Sequence, residues 1–277
     1  MGDYKGQGCK IGIKIIMERV IAMLRGGLVS ITFRHLTPRE IVNLVKKSGL
    51  EGIEWGGDVH VPHGNLSVAR QVATMTKEEG LAIAAYGSYY RVGCQEQDNV
   101  PNFEAVLETA LELQAPLIRV WAGNKGSDEA DESFWDKVIE DSIRIGNMAQ
   151  KENILIAYEY HGDTLTDTLE SALKLMKLVN HKNIRSYWQP LSHHGLEDRL
   201  IGLKQILPWL ENIHVYHWAS YTDRFSLDEG SEEWFKYMDI IKGLPGERYA
   251  LIEFVKDDRE EAFLQDAETL KKWLYGK

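Results

Sequence analysis

From Leu28 onward the chain alternates short, almost wholly apolar runs with longer segments whose apolar residues recur every three or four positions. The runs are LVSITF, LEGIEW, LAIAAYG, APLIRVWAG, NILIAYEY, IRSYWQP, LENIHVYHW and RYALIEFV. Between them FEAVLETALEL, DTLESALKLMKLV, LEDRLIGLKQIL and SEEWFKYMDIIKGL carry apolar residues at helical spacing, as does the closing DDREEAFLQDAETLKKWL. Thr37 and Pro38 open the first predicted helix, and Ser48 with Gly49 closes it. A second helix is expected from about Asn65 to Glu79, closed by Gly80, and a long one from Asp131 to Lys151.

Eight such runs alternate with eight helical segments. The runs are apolar and β-branched without strict alternation, as in parallel strands covered on both faces. The fold class is therefore α/β, and an alternation of this length reads as a (β/α)8 TIM barrel forming a single domain over residues 28–277. An open doubly wound sheet would share this grammar, but no G-x-G-x-x-G follows any run, so its nucleotide-binding form has little support. Residues 1–27 read as an N-terminal appendage to the barrel. Lys14, Glu18, Arg19 and Arg25 interrupt its apolar stretches before they reach the length of a signal peptide or membrane span.

Composition narrows the function classes. The 277 residues are 44% hydrophobic and 27% charged, as expected of a globular protein, and 277 residues suffice for one barrel. A net charge of −10 opposes a phosphate backbone, so no nucleic-acid partner is expected. The two cysteines, Cys9 and Cys94, form neither a CxxC pair nor a disulfide framework, which makes a cytoplasmic location the simplest expectation.

In a barrel the chemistry sits at the C-terminal strand ends. There the sequence places Glu54, with His60 in the following loop; Glu159, with His161 two residues on; Gln189; His214 and His217; and Glu253. Each has an ordinary explanation alone, as a helix cap, a surface ion pair or a satisfied histidine. Together, Glu159, Gln189, His214 and Glu253 come from four successive strands. Their convergence would crowd carboxylates unless a cation or protons neutralised them. Two carboxylates, an imidazole and an amide oxygen suit one divalent metal ion: Mn, Mg, Co or Zn.

The stretches SGLEGIEWGGDVH, ILIAYEYHGD, ENIHVYHW and ALIEFV carry a resemblance. In order and spacing they are similar to the strand motifs of the sugar phosphate isomerase/epimerase family, the xylose isomerase-like barrels. That family includes inosose dehydratases, ketohexose 3-epimerases and apurinic-site endonucleases. The resemblance implies a metal held by Glu159, Gln189, His214 and Glu253, although the family usually has Asp where this chain has Gln189. It also implies a metal-dependent isomerase or epimerase acting on a small-molecule sugar or polyol through an enediolate, with Glu159 and Glu253 as paired bases. Glu54, His60, Arg119, His161 and His217 would then position substrate, and Trp188, with Trp55, Tyr86, Tyr89 and Trp121, would offer flat stacking surfaces.

Side-chain alternation puts His214 and Tyr216 on one face of the seventh run and His217 on the other, so either the strand bends or only one histidine enters the site. A dehydratase on the same site and a non-catalytic sugar-binding barrel are the alternatives. Endonuclease activity fits the acidic charge poorly. No membrane partner is expected, and the outer helices leave a homodimer open.

Overall fold

The computed structural model describes residues 22–96, 100–192 and 194–276. In chain order the elements are β1 (Ala22–Val29), α1 (Pro38–Ser48), β2 (Gly52–Gly56), α2 (Leu66–Glu78) and β3 (Ala82–Arg91). Next come α3 (Phe103–Leu113), β4 (Leu117–Trp121), α4 (Glu132–Lys151), β5 (Leu155–Tyr158), α5 (Leu169–Val179) and β6 (Ile184–Trp188). The last part holds α6 (Leu196–Ile206), β7 (Leu210–Val215), a hairpin of β8 (Trp218–Ser220) and β9 (Asp223–Arg224), α7 (Ser231–Ile241), β10 (Gly246–Ile252) and α8 (Glu260–Tyr275). Eight strands close into a barrel in the order β1-β10-β7-β6-β5-β4-β3-β2. Every pairing within it is parallel. The expected (β/α)8 barrel is the fold, and no described helix is long and apolar enough to cross a membrane.

Local signals explain the element boundaries. Thr37 caps α1 through a full capping box with Glu40, Pro38 stands at its start, and Gly49 ends it at φ 72°. Asn65, Asn102, Asp131 and Thr168 each accept a backbone N–H at the start of α2, α3, α4 and α5. Two layers of apolar packing hold the strands in place. Val29, Ala85, Leu117, Ala157 and Leu251 belong to a small cluster within the ring of strands, and a much larger cluster joins strands to helices. Each fully buried Leu, Ile or Val contributes about 1.5–3 kcal/mol.

The first strand departs from expectation. β1 begins at Ala22, so residues 22–27, assigned above to the appendage, form a barrel stave that pairs with β10 from Ala22 to Leu28. The second half of LVSITF is a 3-10 helix, Ser30–Phe33. Gly27 falls in the β1 stave, and a Cβ on it would stand 2.5 Å from the Gly52 carbonyl oxygen, so close stave packing requires the glycine. The rest of the appendage, with Cys9, lies outside the described residues.

Candidate active site at the barrel mouth

Each of the expected ligands comes from the C-terminal end of its strand. Glu159 and Gln189 directly follow β5 and β6, His214 is the penultimate residue of β7, and Glu253 follows β10. All four are buried. They meet around one atom: His214 Nδ1 is 2.7 Å from Gln189 Oε1, 3.4 Å from Glu253 Oε2 and 3.5 Å from Glu159 Oε1. One ligand atom each from Glu159, His214 and Glu253 lies within 4.8 Å of the others, the spread of donors that a single ion can gather. Gln189 is fixed from behind, since its Nε2 donates to the Tyr160 carbonyl at 2.6 Å.

A second ring of polar groups lies beside this cluster. The buried Arg119 guanidinium donates through Nε to Glu54 Oε1 at 2.5 Å and through Nη1 to Glu159 Oε2. Trp121 Nε1 adds a hydrogen bond to the same Glu159 oxygen at 2.6 Å. Glu54 Oε2 accepts from the Tyr187 hydroxyl at 2.7 Å, which in turn accepts from Asn212 Nδ2 at 3.0 Å. Space for Arg119 depends on Gly87, where a Cβ would stand 2.6 Å from Arg119 Nη2 and 3.0 Å from Glu54 Oε1.

Electrostatics follow from this packing. Burial alone would raise the Glu54 carboxyl, but Arg119, His214 and Tyr187 outweigh it and hold its pKa at about 2. Burial likewise opposes the Glu159 carboxylate, and Arg119 with His214 holds that group well below the usual range. Burial disfavours the His214 imidazolium, yet Glu253, Glu159 and Glu54 push its pKa well above the ordinary value. With a neutral imidazole, three carboxylates against one guanidinium leave two negative charges out of water. A divalent cation would cancel that charge, so the residues present fit one.

Two aromatic residues at the mouth hold unusual backbone. Tyr89 has φ 56° and Phe254, directly after Glu253, has φ 47°. Bulky side chains rarely adopt this left-handed region, and such strain gathers at functional sites. Tyr89 places its ring 5.6 Å from Arg119 Cζ and edge-on to Trp121, and Trp121 stacks obliquely on His161 at 4.5 Å.

The structure does not gather every residue singled out from sequence. His60 has both ring nitrogens committed, Nδ1 to Ser30 Oγ at 2.9 Å and Nε2 to the Leu36 carbonyl at 3.1 Å. Trp188 packs against Tyr237 and Trp234 of α7, in the layer outside the strands. The His217 ring, two residues beyond the end of β7, lies against Phe225 and over Gly230 at the head of α7. Glu54 and Arg119 do join the site, as an ion pair buried beside it. Sequence reasoning missed Tyr187 and Asn212. Tyr187 stands two residues before Gln189, so the two-residue period of β6 is the signal that could have found it.

A family model described as the xylose isomerase-like TIM barrel matches residues 42–273. The chain belongs to that family. This xylose isomerase-like barrel is 26% identical to the 3-dehydroshikimate dehydratase of Bacillus anthracis over 211 residues, which cover 71% of this chain and 73% of the relative. Three solved structures share the fold. The probable 3-DHS dehydratase AsbF of Bacillus anthracis, involved in petrobactin synthesis, superposes with a TM-score of 0.74 at 21% identity, covering 90% of this chain and 99% of its own. A xylose isomerase-like TIM barrel protein from Mycobacterium smegmatis, in complex with magnesium, gives 0.70 at 15% identity, covering 91% and 97%. D-psicose 3-epimerase from Clostridium cellulolyticum with D-tagatose gives 0.64 at 11% identity, covering 90% and 99%.

Gln189 gives this xylose isomerase-like barrel a neutral donor among its anionic ones. Gln189→Glu, nearly isosteric, adds a charge but sets oxygen against the Tyr160 carbonyl. In chelator the variant should lose about 1–3 kcal/mol, and with Mn it should gain more thermal stability than the parent does. Melting curves with and without Mn check this. An equal Mn-dependent rise in both proteins removes Gln189 from the ligand set.

Proposed function

We propose that this chain is a metal-dependent dehydratase of a small hydroxy-keto acid of the 3-dehydroshikimate type. The single observation that carries the reading is the unequal state of the two glutamates at His214. Glu159 has both oxygens engaged, by Arg119 and Trp121 on one side and His214 on the other, and its carboxyl is held strongly acidic. That makes it a ligand and a poor base. Among the described residues the Glu253 carboxylate has only His214 within ion-pair reach, so it is the better placed to take a proton. Inversion by a pair of bases needs two such groups, whereas elimination needs one base and one acid. The 26% identity to a dehydratase supports the same choice.

Glu159, Gln189, His214 and Glu253 would hold the divalent ion, which supplies Lewis-acid stabilisation of the oxyanion that develops on the substrate. Glu253 removes the proton next to the carbonyl. The acid for the departing hydroxyl is His161 as the imidazolium, whose Nδ1–H donates to the Gly162 carbonyl at 2.6 Å and whose Nε2–H is the proton given up. One C–H and one C–O bond break, a C=C bond forms and one water is lost, without any change of redox state. Tyr89 and Trp121, set edge to face beside Arg119 and Glu159, would limit the water that reaches those groups.

The test is incubation of the Mn-loaded protein with 3-dehydroshikimate and a panel of ketoses in deuterated water, followed by mass spectrometry. The dehydratase produces a compound lighter by one water. An epimerase, the second reading, keeps the substrate's elements and carries carbon-bound deuterium, as expected if Glu159 also acts as a base. Neither outcome on any compound, with metal present in stoichiometric amount, removes both.

A further inference from the structure

Three arginines stand at the C-terminal mouth of this acidic protein, on the loops or ends of β1, β3 and the β8–β9 hairpin. Two are occupied. Arg34 donates to Asp58 Oδ2 at 2.9 Å and to the Tyr89 hydroxyl at 2.9 Å. Arg224 pairs with Asp258 at 2.5 Å and lies over the Phe254 ring. Arg119, deeper, is committed to Glu54 and Glu159.

Arg91 differs. It is the last residue of β3, in register with Trp121, the last residue of β4. Tyr90 faces outward, its hydroxyl on Asp141 of α4, and Arg91 follows an irregular stretch of β3 around the left-handed Tyr89. Its guanidinium lies over the Trp121 ring, Cζ 4.3 Å from the centroid. Among the described residues it forms no ion pair, and its one hydrogen bond to protein is a long one, Nη1 to the Gly123 carbonyl at 3.4 Å. A guanidinium has five N–H donors, so this half-buried one holds most of its capacity in reserve. Trp121 in turn bonds Glu159. A planar cation thus lies against the face of the indole whose Nε1 bonds the Glu159 carboxylate.

We infer that Arg91 is the specificity-determining residue that receives the anionic group of the substrate, a carboxylate on the reading proposed above, on which this inference rests. Aromatic stacking orients the guanidinium plane and leaves its edge for two parallel N–H···O bonds. Ring substrates without an anion would reach the same glutamates but lose this anchor.

The test compares the Mn-loaded full chain with R91Q and R91K. Tryptophan fluorescence titrations use 3-dehydroshikimate against its methyl ester, and fructose 6-phosphate against fructose. The parent should bind the acid about tenfold or more tightly than the ester. R91Q should erase that preference by weakening the acid alone, leaving the ester within about twofold, and R91K should restore part of it. A preference confined to the phosphate pair, lost in R91Q, keeps the anchor and changes the anion. An unchanged acid-to-ester ratio in a folded R91Q, or no anion preference in the parent for either pair, overturns the assignment. Because the titration reads binding, a protein that dehydrates nothing yet shows an Arg91-dependent anion preference sinks the dehydratase reading and leaves this one standing.

Discussion

Glu253→Gln lowers kcat by about 10²–10⁴-fold at saturating metal, the span typical of removing a general base. The amide keeps an oxygen toward His214 Nδ1, now 3.4 Å from the carboxylate, so the variant should still load Mn when the metal is in excess. On the proposed reading KM should move little, because a general base acts on the reacting C–H and not on the rest of the substrate. Glu159→Gln makes the contrast. Its carboxylate is the one held by Arg119 and Trp121, so the neutral form weakens metal binding and disturbs that pairing, and added Mn should recover much of its activity. Steady-state kinetics of both variants across a Mn titration decide the matter. A Glu253→Gln protein that turns over within about tenfold of the parent, fully metal-loaded, takes the base role away from Glu253.

Arg119→Met should cost about 3–5 kcal/mol of stability, because it leaves the Glu54 and Glu159 carboxylates buried without their cation. At roughly 2–4 °C per kcal/mol for a domain of this size, the metal-free melting temperature falls by about 10 °C. The acid limb of the stability curve should move too. Glu54 titrates at about 2 when folded against an ordinary 4.5, so its contribution is complete above the ordinary value and is lost as pH falls toward 2. Without Arg119 the carboxyl loses its main charge partner while burial still raises it. The stabilising increment shrinks, and acid unfolding begins at higher pH. Parent-like melting and an unshifted acid midpoint would show that the guanidinium is not what holds these carboxylates.

The barrel was readable because its signals are local. Capping residues such as Thr37, Asn65 and Asp131 and the closing Gly49 mark helix ends within a residue or two, and the apolar runs mark the staves. The first stave was not, since Arg25 interrupts its apolar run and only the closed ring brings the Gly52 carbonyl oxygen to 2.5 Å from where a Cβ on Gly27 would sit. The convergence of Glu159, Gln189, His214 and Glu253 was legible for the same local reason, one polar residue at each strand end. Their surroundings were not. The path from Arg119 through Glu54 to Tyr187 and Asn212 crosses the barrel between strands far apart in sequence, with Glu54 and Tyr187 separated by 133 positions. Histidines behaved likewise: His60 and His217 are as prominent in sequence as His214, but only the closed ring decides which imidazole faces inward.

Gly87 and Arg119 amount to one decision written at two positions. The volume that any side chain at 87 would claim is already filled by the guanidinium and the Glu54 carboxylate. A related chain with alanine or serine there must have surrendered the arginine, moved it, or widened that side of the ring. Reading the two positions jointly, before any coordinates exist, therefore sorts such relatives into those that keep this inner ion pair and those that have rebuilt the wall of the site around something else.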